Sequence, residues 1–167
     1  MTTTSTFKDL YLDELKDLWS ANDQMHRALS RIAPKASNEK VKSLLQRSQD
    51  GIGKHTQLLK SLIESCGGEV SKEHCKGMEG LVAEAIKHTI DEAPTRPALR
   101  DAAIIAQFQR MTHYGITGFG TAAAFAKAMD RSDDAAKLSD AVGDMWDADE
   151  VMSDIAEQAV NEKAAES

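Results

Sequence analysis

Apolar side chains recur at helical spacing along nearly the whole chain, and that spacing constrains its fold more than any other feature. Phe7, Leu10, Tyr11, Leu18, Met25, Leu29 and Ile32 mark a first helix. Thr6 stands where it can cap that helix, Asp9 falls in its first turn, and Pro34 ends it. Ser37 can cap a second helix running through Val41, Leu44, Leu45, Ile52, Leu59 and Leu62 to Cys66, with Gly67-Gly68 as its stop. Glu69 to Cys75 reads as a polar connection. A shorter helix from about Lys76 to Ile90 gathers Met78, Leu81, Val82 and Ile86 on one side. Asp91 to Arg96 reads as a loop, and Pro97 suits a first helical turn. A third long helix extends from about Ala98 to Met129, and Asp130-Arg131 turns the chain. Ser132 can cap a fourth helix whose inner face carries Leu138, Val142, Met145, Met152 and Ile155. The tail from about Asn161 is polar and expected to fray.

This order predicts an all-α protein: a ferritin-like up-down bundle of four long helices, with a short extra helix in the long connection between the second and third. A length of 167 residues suits one domain, 1–167, with an ordered core over about 7–160. The net charge of -7 argues against general nucleic-acid binding, which needs a basic face. No apolar run approaches the roughly 20 residues of a membrane span. The first residues lack the basic and apolar regions of a secretory signal, so a cytoplasmic location is expected. Cys66 and Cys75 are expected to be buried or free thiols, with a disulfide or a metal role as alternatives.

One stretch departs from the pattern. Gln109 to Gly120 lies inside the third long helix yet carries Gly115, Gly118 and Gly120. Each helical glycine costs about 1 kcal/mol relative to alanine. Thr112 and Gly115 share a face with Ile105, Phe108 and Phe119, so they point into the core. Bundles that bind two metals place acidic residues at such inward positions. Here those positions are small and uncharged.

Several segments resemble the YciE/YciF family of ferritin-like bacterial stress proteins. They are Asp17 to Gln24, Ser37 to Lys40, Arg100 to Ala106, the pair His113-Tyr114, and Cys75-Lys76-Gly77-Met78-Glu79-Gly80-Leu81, which is the most specific. The resemblance covers about Phe7 to Ala159. It implies a cytoplasmic homodimer linked to stress responses. It also implies a dinuclear metal site, and the residues depart from that site helix by helix. Asn22 stands for the first-helix glutamate. Ser48-Gln49-Asp50-Gly51-Ile52 replaces a His-Leu-Glu-Glu-Thr run. Thr112-His113-Tyr114-Gly115 replaces Glu-His-Tyr-Glu. Met145 takes an inward acidic place, while Asp149, one turn on, remains; Asp144 and Asp147 point further round the helix. A dinuclear iron or manganese centre needs roughly four carboxylates and two imidazoles. The dinuclear site is therefore expected to be lost, with no cofactor; iron or manganese enters only through a rearranged site using His55, Glu79 and Asp149.

Three functions follow. The favoured one is a non-enzymatic, homodimeric stress protein with a degenerate metal site. The second is a bundle that binds a small ligand, or catalyses without a cofactor, in a core pocket of Asn22, Ser48, Gly51, His55, Thr112, His113, Gly115, Met145 and Asp149. The third is a metal-binding protein or oxidase with the rearranged site. His113 reads more simply as a helix-flank residue bonded to a neighbouring helix, and His55 as a satisfied core histidine. Removing large inward side chains leaves space to be filled. Close packing with Met145 as filler is the expected outcome, and a hollow core is the alternative.

Overall fold

The computed structural model describes residues 4–70 and 74–166, and every regular element among them is helical. Four helices are long: α1 (Phe7–Ile32), α2 (Glu39–Ser65), α4 (Pro97–Ala128) and α5 (Ser132–Ile155). The short α3 (Lys76–Ile86) falls between α2 and α4, and α6 (Asn161–Ala165) follows α5. α1 packs on α2 and α4, α5 packs on the same two helices, and α3 lies against α1 and α4.

Capping shows which local expectations hold. Thr6 Oγ1 accepts from the Asp9 amide at 3.1 Å, and the Asp9 carboxylate accepts from the Thr6 amide at 2.9 Å, a reciprocal capping box. The α2 cap is Asn38 rather than Ser37: Asn38 Oδ1 accepts from Lys40 N and Val41 N. Ser37 is engaged elsewhere. The Asp101 carboxylate of α4, 3% exposed, accepts from Ser37 N at 2.8 Å, Ser37 Oγ at 2.5 Å and Asn38 N at 2.9 Å. A buried charge on α4 therefore clamps the α1–α2 turn. Ser132 is the first residue of α5 rather than its cap. That end is held by Arg131, whose Nε donates to Asp134 at 2.6 Å and whose Nη2 donates to Ser65 Oγ at 2.7 Å. The backbone reverses through Asp130 at φ 58°, a left-handed conformation that aspartate tolerates better than most residues.

Two other boundaries differ from expectation. The short helix is α-helical only to Ile86 and then widens into a π-turn over Lys87–Asp91, where the buried Thr89 hydroxyl donates to Ala85 O. The chain stays helical past Asn161. A second π-turn, Ala156–Val160, buries Val160, and α6 continues against α4. The described cysteines, Cys66 and Cys75, are both free and buried. Of the polar connection, residues 71–73 lie outside the described part.

The apolar core divides into two clusters. Tyr11, Leu15 and Leu18 of α1 pack with Leu59 and Ile63 of α2, Phe119 of α4 and Leu138 of α5. Met25, Leu29, Leu45, Ile104, Phe108 and Met152 belong to the other. Along each long helix the change from one cluster to the other passes the residues singled out above: Asn22, His55, Thr112 to Gly118, and Met145. That level is the waist of the bundle.

Two substitutions measure this packing. A Cβ at Gly118 would run into Leu18 Cδ2, whereas one at Gly120 meets nothing within 4 Å. Gly118→Ala is expected to destabilise by about 1–2 kcal/mol through overpacking, and Gly120→Ala to stabilise by up to about 1 kcal/mol through helix propensity. Paired urea curves check the opposite signs. Asp101→Ala, which removes three hydrogen bonds to the exposed Ser37 and the half-buried Asn38, is expected to cost about 1–3 kcal/mol by the same measurement.

Candidate functional site

A cavity of about 410 Å³ opens at the waist. Asn22 of α1, Ser48, Gly51 and His55 of α2, Thr112 and Gly115 of α4, and Met145 of α5 all reach its wall. Gly115 and Met145 account for one another. A Cβ at position 115 would lie 2.8 Å from Met145 Sδ, so the thioether occupies the space the glycine leaves. Met145 thus fills part of the neutral core, as expected, but the cavity persists beside it. Nothing lies within 4 Å of the place a Gly51 Cβ would take, so that glycine widens the space.

The polar atoms of the wall are unusual for a core. Asn22 Nδ2, Ser48 Oγ and Thr112 Oγ1 are buried and have no hydrogen-bond partner. Asn22 is 6% exposed and Thr112 is 3% exposed. An unsatisfied buried group costs about 1–3 kcal/mol. The three belong to residues of three helices that line the same cavity.

The rim is charged and balanced. His55 Nε2 lies 3.0 Å from Asp144 Oδ2, joining α2 to α5. Arg47, Lys54 and Asp147 also border the opening. Asp144 and Asp147, placed by their spacing further round α5, do stand at the edge, but the bond to His55 makes Asp144 part of the site. The methionines are a second feature that spacing alone did not single out: besides Met145, the cavity is lined by Met25, Met78 and Met111. Their inward positions in the helical pattern were the signal available.

His113 and Asp149 do not join the pocket. His113 Nε2 lies 3.0 Å from Asp149 Oδ2, and its ring meets Trp146 edge-on at 5.3 Å. His113 follows Thr112 by one residue, about 100° round the helix, and borders an outer groove with Glu14, Arg110 and Thr117. Asp149 lies at the α4–α5 seam, where Gln109 also reaches its carbonyl. The simpler reading of His113, a flank residue bonded across to a neighbouring helix, is the one the contacts show. Glu79 pairs with His74 at 3.1 Å. His55, Glu79 and Asp149 thus have three separate partners and do not converge. Among the described residues no three His, Cys, Asp or Glu side chains gather in a way that could hold a metal ion.

The Cys75 to Leu81 segment docks α3. Cys75 N donates to Ser20 Oγ at 2.9 Å, and Gln24 Nε2 donates to Cys75 O at 3.0 Å. Cys75 Sγ accepts from Met78 N at 3.4 Å, capping the helix. The thiol also lies 3.0 Å from Tyr114 Oη, which donates to Asp17 Oδ2 at 2.9 Å. A Cβ at Gly77 would come within 2.8 Å of the Tyr114 ring, so glycine permits the close approach of α3 to α4. Burial pushes the Cys75 thiol up and, with the hydrogen bonds that link Tyr114 to Cys75 and to the accepting Asp17 carboxylate added, pushes the Tyr114 phenol up as well. Both groups stay protonated at neutral pH, which suits a docking role rather than nucleophilic chemistry.

The family model described as "Domain of unknown function (DUF892)" matches residues 6–165. The chain belongs to the DUF892 family. This DUF892 protein is 30% identical to Protein YciF of Escherichia coli strain K12 over 160 residues, which is 95% of each chain. The crystal structure of the E. coli stress protein YciF matches it with a TM-score of 0.87 at 29% identity, over 94% of this chain and 98% of that one. YcfI from Rhodopseudomonas palustris matches with a TM-score of 0.84 at 26% identity, over 91% and 96%. The resemblance seen in the short sequence segments therefore extends across the chain and its fold.

The unpaired hydroxyl of Thr112 can be tested in isolation. Thr112→Val keeps the shape and removes the orphan, so the free protein is expected to be about 1 kcal/mol more stable. A urea midpoint that falls instead would show that the hydroxyl is satisfied in solution.

Proposed function

We propose that this DUF892 protein is a non-catalytic, stress-related binding protein of ferritin-like build, whose waist takes a small uncharged molecule where two metals would otherwise sit. The observation that carries the reading is that Asn22 Nδ2, Ser48 Oγ and Thr112 Oγ1, buried and unpartnered, belong to residues of three helices that line one cavity of about 410 Å³. A core kept only for packing gains by replacing such groups with apolar ones of the same shape. A bound molecule that pairs with them returns the lost hydrogen bonds. The cavity size also falls within the range of small-molecule sites, about 300–1,000 Å³.

The donor set does not fit a dinuclear iron or manganese centre. An amide, two hydroxyls and thioethers offset little of the charge of hard divalent cations, and the two carboxylates present stand at the rim beside Arg47 and Lys54. Stress involvement is supported by the similarity to YciF, which is described as a stress protein. A cytoplasmic homodimer, implied by the family resemblance, is part of the same reading.

Two measurements test it together. Protein purified without chelators is expected to carry no stoichiometric iron or manganese by elemental analysis and to take up none on titration; two metals per chain would overturn the reading. A thermal-shift screen of small neutral molecules is expected to give stabilising ligands. Gly115→Leu, which displaces the Met145 thioether from its notch in the cavity wall, is expected to abolish their effect.

A further inference from the structure

Four methionines line the cavity, each from a different helix: Met25 of α1, Met78 of α3, Met111 of α4 and Met145 of α5. The whole chain has seven. Thioethers make favourable contacts with the edges of aromatic rings, and their flexible side chains reshape around flat ligands. Phe108 adds an aromatic wall, and most of the remaining surface is aliphatic. The body of an occupant is therefore apolar, and the sulfur-rich lining favours a ring system over a saturated chain.

Size and charge narrow the class. An apolar cavity of about 150 Å³ holds one benzene, so about 410 Å³ has room for two fused rings with a short substituent. The rim sets Arg47 and Lys54 against Asp144 and Asp147, so it carries no net bias toward an anion or a cation. Asn22 Nδ2 is a donor without an acceptor, and the two hydroxyls beside it can also donate. All three atoms are fully buried, on residues that line the cavity. An occupant pairs with them only when a side chain of the wall moves aside.

We infer that the waist cavity binds a neutral bicyclic aromatic molecule bearing a carbonyl-type oxygen. Its ring edges lie against the four thioethers, and its oxygen accepts hydrogen bonds from Asn22 and the neighbouring hydroxyls. This inference rests on the binding function proposed above and specifies its ligand.

Four matched probes test it by calorimetry on the full chain: 2-acetylnaphthalene, its fully saturated counterpart, naphthalene, and 2-naphthoate. The ketone is expected to bind tightest, about tenfold better than the saturated counterpart. Met111→Leu, which keeps the volume and removes the sulfur, is expected to weaken the aromatic ketone several-fold and leave the saturated one unchanged. Asn22→Ala is expected to weaken the ketone about tenfold and leave naphthalene unchanged. Should Asn22→Ala fail to fold, Thr112→Val reads the same hydrogen-bonding end. Equal binding of the saturated counterpart overturns the aromatic assignment while leaving the binding function intact, and tightest binding of the naphthoate overturns the neutral one. If no probe binds but the thermal-shift screen finds other ligands, this inference alone fails. If neither finds a ligand, the proposed function fails with it.

Discussion

The structure depends on how four long helices pass from one apolar cluster to another. Each contributes large side chains above and below the waist, and small or polar ones at it. Leu18 and Met25 flank Asn22 on α1, and Met111 and Phe119 flank Thr112 and Gly115 on α4. At the waist, small side chains and glycines leave a space whose walls include methionines. Unsatisfied buried polar atoms occur there on Asn22, Ser48 and Thr112, and away from it on Tyr11 and Asp149. Other polar groups are satisfied. Asp101 takes three hydrogen bonds, and Ser20, Gln24 and Cys75 satisfy one another between α1 and α3.

The docking of α3 sets one wall of this space. Met78 reaches the cavity only because Cys75 anchors the helix start to α1 and Gly77 lets it approach Tyr114 of α4. Burial keeps thiol and phenol protonated, and both donate to the Asp17 carboxylate. The Cys75 to Leu81 segment, the most specific of the resemblance, acts here as a mechanical joint.

The sequence was most legible where the signal is periodic. The stripes of α1, α2, α4 and α5 follow directly from apolar spacing, and the inward positions of Thr112, Gly115 and Met145 follow from the same period. It was least legible where a distant residue decides. Ser37 and Asn38 are equally good caps in isolation, and only Asp101, far along the chain, removes Ser37 from the choice. Asp149 is one turn from Met145 and was expected to share its face, yet the seam with α4 and the pull of His113 place it outside the cavity. The pairing of His55 with Asp144 joins residues on two helices and has no local signature. The space itself was the hardest feature to foresee, because whether Met145 fills or only narrows it depends on the helix separation.

That separation bears on why a bundle would keep a neutral waist. Carboxylates buried without a cation cost several kcal/mol each, whereas an unpaired amide or hydroxyl costs about 1–3 kcal/mol. On the reading proposed here, exchanging acids for Asn22, Gly51, Thr112 and Gly115 lowers the penalty of an empty core but does not remove it. Packing the waist with leucine would remove it, and no steric obstacle at Gly51 prevents a larger residue there. A residual penalty that is easy to eliminate, held in a space with flexible thioether walls, couples occupancy to stability: any molecule that binds the folded waist and not the unfolded chain shifts the folding equilibrium in proportion to its affinity. The stability forgone at Asn22, Ser48 and Thr112 in the empty protein is then the free energy that an occupant recovers.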